Sequence, residues 1–438
     1  MTRRVLLAVT LVSSMVAAGV VATPAGAELP PTVTSQLDDL AQFVTAELHV
    51  PGTVLGVSVE GQGRHVAASG TAGLDDPTPV TPDMRFRIGS ITKTFTATAV
   101  LQLVDDCRLG LDDTIARFQP ALAYADQVSV RELLQHTSGI PDFERDPAFQ
   151  SAFSADPFRV WAPQELIDLV VDDPPGFTPG TQWSYSNTNY FILGLIVESV
   201  TGRPFEEVIE QDILRPLGLN ATSVPTTPAI PPPATSGVEL TLNSDRSIQS
   251  IVPFNFDPSA AWAAGAMVSN VPDLERWARA LATGELLSPT LQQQRLSLVP
   301  TGGELPALSA FPGPTLSLGY GLGVFNAGGY LGHDGEVNGY QAVMVHDPQT
   351  GTTIVQVQNA AVAIEVPDND NSPGNVEVPD LVMPSVVGIL GQQAQPLPTP
   401  VPPATVSCPP PAPPAPRPDA SPAPVATPVP ARQLALTG

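Results

Sequence analysis

The run Phe86-Arg87-Ile88-Gly89-Ser90-Ile91-Thr92-Lys93 leads into apolar sequence that continues to Val104, and residues 91–104 read as one long helix. On a helix, positions three apart share a face. Ser90 then stands at the helix start, where free backbone N–H groups and the dipole favour developing negative charge. Lys93 follows one turn later, within reach of the Ser90 hydroxyl. A serine hydroxyl is a weak nucleophile until a neighbouring base takes its proton. A lysine desolvated among apolar neighbours can lose its own proton and serve as that base, which an arginine cannot. The same four-residue pattern also describes an ordinary helix start with a surface lysine, so its neighbours and partners decide between the two.

Composition bears on that decision. Of the 19 basic residues in the 438-residue chain, 18 are arginine, and Lys93 is the single lysine. The formal net charge of −24 opposes binding to nucleic acid or to anionic lipid, both of which attract basic surfaces. Two cysteines, Cys107 and Cys408, lie far apart in the sequence, and they are expected to remain unpaired and to form no metal cluster. Five scattered histidines without an H-E-x-x-H pattern give no expectation of a metal, and no cofactor motif is present.

The two ends differ in character from the middle. Residues 1–27 read as a secretory signal peptide, with Arg3 and Arg4 before an apolar stretch and Ala25-Gly26-Ala27 as a small-x-small cleavage site. This predicts a secreted, extracytoplasmic protein. Residues 394–438 carry much of the excess of the 51 prolines and read as an extended, disordered tail. The tail closes on Leu434-Ala435-Leu436-Thr437-Gly438, similar to a sortase sorting pentapeptide, which would make the protein cell-wall associated.

Between them, residues 28–393 form one catalytic unit. Helical spacing appears over 37–48, 163–171, 190–200, 205–213, 272–281 and 380–390. Short β runs appear at 54–59 and 65–68, with Gly61 and Gly63 between them. Two more, at 340–345 and 353–358, are joined through a turn at Asp347-Pro348-Gln349-Thr350-Gly351. Strands at both ends with helices between predict an α+β fold, an antiparallel sheet completed by the two chain ends around a helical insert.

Two further groups of residues carry chemistry. In Tyr185-Ser186-Asn187, the tyrosine can stay anionic near positive charge or relay a proton, and Asn187 can hydrogen-bond Lys93 and a substrate amide. In Gly332-His333-Asp334-Gly335, glycine permits close approach to a strand edge, and the following N–H, that of Glu336, can pair with the N–H of Ser90 as an oxyanion hole.

Ser90-x-x-Lys93, Tyr185-x-Asn187 and His333-x-Gly335 together resemble the penicillin-recognising serine hydrolases, a group of class C β-lactamases, secreted D-alanyl-D-alanine carboxypeptidases and esterases. The runs Leu133-Leu134-Gln135-His136-Thr137-Ser138-Gly139-Ile140 and Ala263-Ala264-Gly265-Ala266-Met267-Val268-Ser269 agree, and the likeness covers roughly residues 35–392. The resemblance implies a β-lactamase/transpeptidase-like fold with a mainly helical subdomain. It implies Ser90 as the acylated nucleophile, Lys93 as its proton partner, Tyr185 as general base and Asn187 as a ligand of substrate and lysine. His333 takes the place of a lysine in the third motif, the Glu336 N–H joins the oxyanion hole, and His136 is structural. The partners implied are a peptide, ester or β-lactam small molecule and cell-wall peptidoglycan. The foremost activity is D-alanyl-D-alanine carboxypeptidase-like; an esterase, a β-lactamase and a catalytically silent wall-binding protein are the alternatives. Asp334 departs from the pattern, because it replaces a hydroxyl that would help hold a substrate carboxylate.

Overall fold

The computed structural model describes residues 27–364 and 377–398. An eight-stranded antiparallel sheet is its frame. The strands are β1 (Gly52–Val59), β2 (Gly63–Gly70), β3 (Val299–Leu305), β4 (Leu316–Tyr320), β5 (Phe325–Ala327), β6 (Tyr330–Val337), β7 (Tyr340–Asp347) and β8 (Thr352–Gln358), in the order β2-β1-β8-β7-β6-β5-β4-β3. The first and last strands of this sheet in sequence, β1 and β8, pair next to the β2 edge, with Thr53 opposite Gln358 and Val59 opposite Thr352. The predicted α+β class and the closure of the sheet by the two ends both hold.

Period-two alternation explains why the sheet is buried on both faces. In β7, Ala342 and Met344 face one core while Val343 and Val345 face the other. The second core is covered by helices α1 (Pro31–Glu47) and α5 (Val378–Ile389). Leu37, Leu40, Ala41 and Val44 form the buried stripe of α1. The helix begins earlier than the periodicity suggests because Pro31 occupies its first position, where the missing N–H costs nothing.

The first core joins the sheet to the helical insert. It contains α2 (Thr92–Asp105), α3 (Asn187–Thr201) and α4 (Val271–Thr283). Helix α2 is buried almost throughout, yet carries Thr92, Thr94, Thr96 and Thr98. A buried hydroxyl needs a partner, and each has one. Thr92 accepts from the Met267 N–H, Thr96 donates to Ala263 O, and Thr98 donates to Thr94 O. Thr94 accepts the Trp277 indole N–H at 2.8 Å, and that indole stacks on Phe95 with centroids 4.3 Å apart. The helix that carries Lys93 is thereby fixed to α4 and to the segment around Ala264.

Three departures from expectation have local causes. Strands β3 to β6 were not individually legible, since glycines and prolines interrupt their patterns. A second sheet of Val238–Leu242, Ile248–Pro253 and Ala360–Ile364 was also unseen. Cys107 is disulfide-bonded, correcting the expectation of unpaired thiols; separation along a chain does not limit pairing in space, and Cys408 lies outside the described residues. The expected signal peptide of residues 1–27, apart from residue 27, and the expected tail from residue 399 also lie outside them. Residues 394–398, the start of the expected tail, are described; there the Gln395 N–H donates to Gly328 O and its amide to Asp347.

Candidate active site

Two glycines bring Ser90 to the sheet. Ser90 lies in a short 3-10 turn, Gly89–Ile91, just ahead of α2. Gly89 has φ +50°, and a Cβ there would lie 2.7 Å from the backbone N of Glu336. A Cβ on Gly335 would lie 2.1 Å from Ile88 O and 3.2 Å from Ser90 N. Only residues without side chains permit this approach. It places the Ser90 and Glu336 amides, the proposed oxyanion donors, side by side. Strand β5 pairs only with the Tyr330–Gly332 part of β6, so the later residues of β6 are free to face the serine turn.

Ser90 Oγ sits between two donors, the Tyr185 hydroxyl at 2.7 Å and Lys93 Nζ at 2.9 Å. Lys93 Nζ also donates to Asn187 Oδ1 at 2.7 Å and to Ala264 O at 2.8 Å. All three N–H positions are thus assigned; if the amine is neutral, one becomes a lone pair. Burial pulls the Lys93 amine down to about 8, against the opposing pull of carboxylates at Glu144, Asp142, Asp334 and Glu377. At pH 7 about a tenth of the amine is therefore free base, and the share grows as pH rises through about 8.

Tyr185 behaves differently. Burial, reinforced by the Asp334 charge, holds its hydroxyl well above the ordinary tyrosine range, although the Ser90 hydrogen bond opposes this. In the free protein Tyr185 is a phenol, so of the two roles open to it, proton relay fits and standing phenolate does not. Lys93 is the group able to accept the first proton. Because that requires the neutral amine, kcat/KM should rise with pH through about 8 and fall below it. Burial pushes Glu144 itself up to about 8, so it gains its charge over the range in which the amine titrates; Glu144→Gln removes that charge, and the midpoint should move to lower pH. A midpoint unchanged or moved upward in the pH–rate profile would contradict this assignment.

The remaining residues orient these three. Asp142 accepts from both the backbone N–H and the side-chain amide of Asn187, which turns Asn187 Oδ1 toward Lys93. His136 is buried, has φ +59° and stacks on Tyr185 with centroids 4.3 Å apart. Its Nδ1 accepts the Ser186 N–H, and burial holds the ring well below its usual range, hence neutral. The structural role implied for it agrees with this setting. His333 is also buried; its Nε2 lies 2.8 Å from the Tyr320 hydroxyl and its Nδ1 2.9 Å from Asp334 Oδ1. The structure therefore brings Ser90, Lys93, Tyr185 and Asn187 into direct contact, places Gly335 and Glu336 against the serine turn, and sets His333 one residue layer away.

Sequence reasoning missed Asp142, Tyr320 and the Ala264 carbonyl, which carry no motif of their own. A cavity of about 760 Å³ opens beside Tyr185 and Asn187, walled by Asp142, Glu144, Glu336 and Glu377. A smaller one of about 110 Å³, with Trp183, Leu318 and Phe325, lies on the other side of Tyr185 and reaches His333, Asp334 and Asp380. Asp334, Glu377 and Asp380 come within 4.8 Å of one another, the one grouping with cation-ligand chemistry among the described residues.

Comparison with known proteins gives consistent matches. A family model described as Beta-lactamase matches residues 37–372. Penicillin-binding protein 4 of Amycolatopsis lactamdurans is 38% identical over 180 residues, 40% of this chain and 45% of that protein. The chain spans less than two thirds of the length of the curated relatives that it matches first. Among solved structures, a D-stereospecific amidohydrolase from Streptomyces sp. superposes with TM-score 0.62 and 32% identity, covering 73% of this chain and 93% of its own. D-amino acid amidase from Ochrobactrum anthropi SV3, complexed with L-phenylalanine amide, gives TM-score 0.65 and 27% identity over 82% of this chain and 97% of its own.

Proposed function

Since the chain belongs to the beta-lactamase family of serine hydrolases, we propose that it cleaves amide bonds of D-configured acyl donors through an acyl-enzyme on Ser90, with cell-wall peptides ending in D-alanyl-D-alanine as one candidate substrate. The observation that carries this reading is the Ser90 hydroxyl held between Lys93 Nζ and the Tyr185 hydroxyl. Neutral Lys93 takes the serine proton as Oγ attacks the carbonyl carbon, and the N–H groups of Ser90 and Glu336 receive the developing oxyanion. Tyr185, bonded to the same oxygen, passes a proton to the leaving amine. Water then attacks the ester and gives a proton to Tyr185, and Lys93 returns its proton to Ser90 Oγ as the acyl group leaves, which restores both groups. A signal peptide at residues 1–27 would place this chemistry outside the cytoplasm.

A second reading, hydrolysis of small D-aminoacyl amides, is favoured by one observation. The side chain of Asp334, in the cavity that Tyr185 also lines, stands where the resemblance would put a hydroxyl that helps hold a substrate carboxylate, and its negative charge opposes one. The likeness to a D-amino acid amidase and to a D-stereospecific amidohydrolase supports the same direction.

Intact-mass analysis after mixing with a D-alanyl-D-alanine peptide or a D-aminoacyl amide tests both. The expected result is a transient mass increase equal to the acyl group, located on Ser90 and absent in Ser90→Ala, with free amine or ammonia released. Release of product by Ser90→Ala at the parent rate would sink the acyl-enzyme reading.

A further inference from the structure

Two cavities meet at Tyr185, and they differ in kind. The larger, of about 760 Å³, is lined by Asn187, Gly265 and carboxylates such as Glu144 and Glu336. The smaller, of about 110 Å³, is built mainly of rings and aliphatic side chains. Trp183 and Tyr185 close it from the segment before α3, and Leu305, Leu318, Tyr320 and Phe325 from strands β3, β4 and β5. The rings stand close together. Trp183 and Tyr320 have centroids 6.0 Å apart, and His333 lies 5.6 Å from Tyr320, 5.6 Å from Phe325 and 6.4 Å from Tyr185.

Most polar atoms around the small cavity are taken by the protein itself. The Tyr185 hydroxyl donates to Ser90, the Tyr320 hydroxyl is 2.8 Å from His333 Nε2, and Thr301 donates to Leu318 O. Asp334 is paired with His333. The Trp183 indole nitrogen and Asp380 Oδ1 have no hydrogen-bond partner among the described residues. Burial holds the Asp380 carboxyl well above the usual carboxylate range, so it brings little charge at neutral pH. What this wall offers a ligand is chiefly hydrocarbon, which favours an apolar occupant.

The position of the cavity relative to the reacting atoms decides which part of a substrate enters it. The carbonyl oxygen goes to the Ser90 and Glu336 amides. Two groups then remain on the carbonyl carbon. The leaving nitrogen faces the Tyr185 hydroxyl, 2.7 Å from Ser90 Oγ, because that hydroxyl gives it a proton. The acyl chain takes the other side, toward Asn187 and the larger cavity. A substituent on the leaving nitrogen is carried past Tyr185 and into the smaller one.

We infer that the small cavity is a leaving-group pocket, which takes an uncharged, branched aliphatic group on the departing amine, with Leu318 as a specificity-determining residue on its wall. The inference rests on the amide-hydrolysis reading at Ser90 and narrows it, naming the amine where that reading names the acyl donor. An apolar cavity of about 150 Å³ accommodates one benzene ring, so one of about 110 Å³ suits a group of about four carbons and excludes an adamantyl cage. Each methylene buried there strengthens binding by about fourfold.

The test uses the full chain and three D-alanyl amides of saturated amines with nearly equal basicity: the methylamide, the isobutylamide and the 1-adamantylmethylamide. The expected kcat/KM for the isobutylamide exceeds that for the methylamide by at least about tenfold. The adamantylmethylamide should fall back to the level of the methylamide or below it. Leu318→Trp fills the cavity and should bring the isobutyl-to-methyl ratio close to one. Leu318→Ala enlarges it and should raise the adamantylmethylamide relative to the isobutylamide, which gives an answer even if the tryptophan variant does not fold. Three outcomes of a Ser90-dependent reaction overturn this inference alone: a flat series, the adamantylmethylamide fastest in the parent, or a size order that neither variant moves. Hydrolysis that survives Ser90→Ala, or no turnover of any probe, overturns the amide-hydrolysis reading beneath it.

Discussion

Replacing Lys93 with arginine is expected to lower kcat/KM by about 10³-fold, the scale of a lost general base. The change keeps a positive charge three residues after Ser90, so it separates charge from basicity. Arginine cannot lose its proton under these conditions. The Lys93 amine, pulled down to about 8 by burial, can. Arginine is also larger, and the space around Nζ is taken up by Ser90, Asn187 and Ala264. Lys93→Met serves as the companion variant, of similar length and without either charge or basicity. Both should lose the rise of rate through pH 8, whereas a pure packing defect would lower the rate and keep the profile. A Lys93→Arg protein within tenfold of the parent would remove Lys93 from the role of base.

The second large effect is expected from Gly335→Val. Any Cβ at this position meets the Ile88 carbonyl at 2.1 Å, which is backbone on the serine turn and cannot rotate away. Strand β6 and the turn must separate by an ångström or more, and the Glu336 amide moves off its place beside Ser90. Misplacement on that scale costs about 10²-fold in rate. The loss should fall on kcat, because the displaced N–H matters most when charge develops on the oxygen. Gly332→Ala provides the contrast. Its Cβ would meet Met344 O at 1.9 Å inside the sheet, away from the serine turn, so its main consequence is a lower Tm. If Gly335→Val retains parental kcat, the oxyanion assignment of Glu336 fails.

The sequence exposed the chemistry more fully than the architecture, for a physical reason. Ser90, Lys93, Tyr185 and Asn187 are short-range patterns whose residue types are demanded by the reaction, and they meet as expected. Helix α2 was legible because its apolar content is continuous, and α4 because Asn270 caps it and Asp273 occupies its first turn. Strands β3 and β4 were not legible, since β3 includes Pro300, Gly302 and Gly303 and each draws its stability from pairing. Asp142 was missed because its role comes from a contact with Asn187, 45 residues later, and no local spacing encodes it. The gathering of Asp334, Glu377 and Asp380 belongs to the same class, being a property of what surrounds each residue.

Pairing of the first strand with the last also sets when the molecule can exist. Thr53 Oγ1 donates to Val357 O, 304 residues further along the chain. The β1–β8 ladder therefore closes only after β8 has been made, and β6, which brings the Glu336 amide, follows Ser90 by more than two hundred residues. Contacts this distant in sequence make folding slow, because the entropy of closing a long loop is lost before any pairing is gained. Ser90, Lys93 and Tyr185 are all synthesised before β6, so they have no Glu336 amide beside them until that strand has been made. The serine turn thus meets its oxyanion partner only through contacts that span most of the described chain.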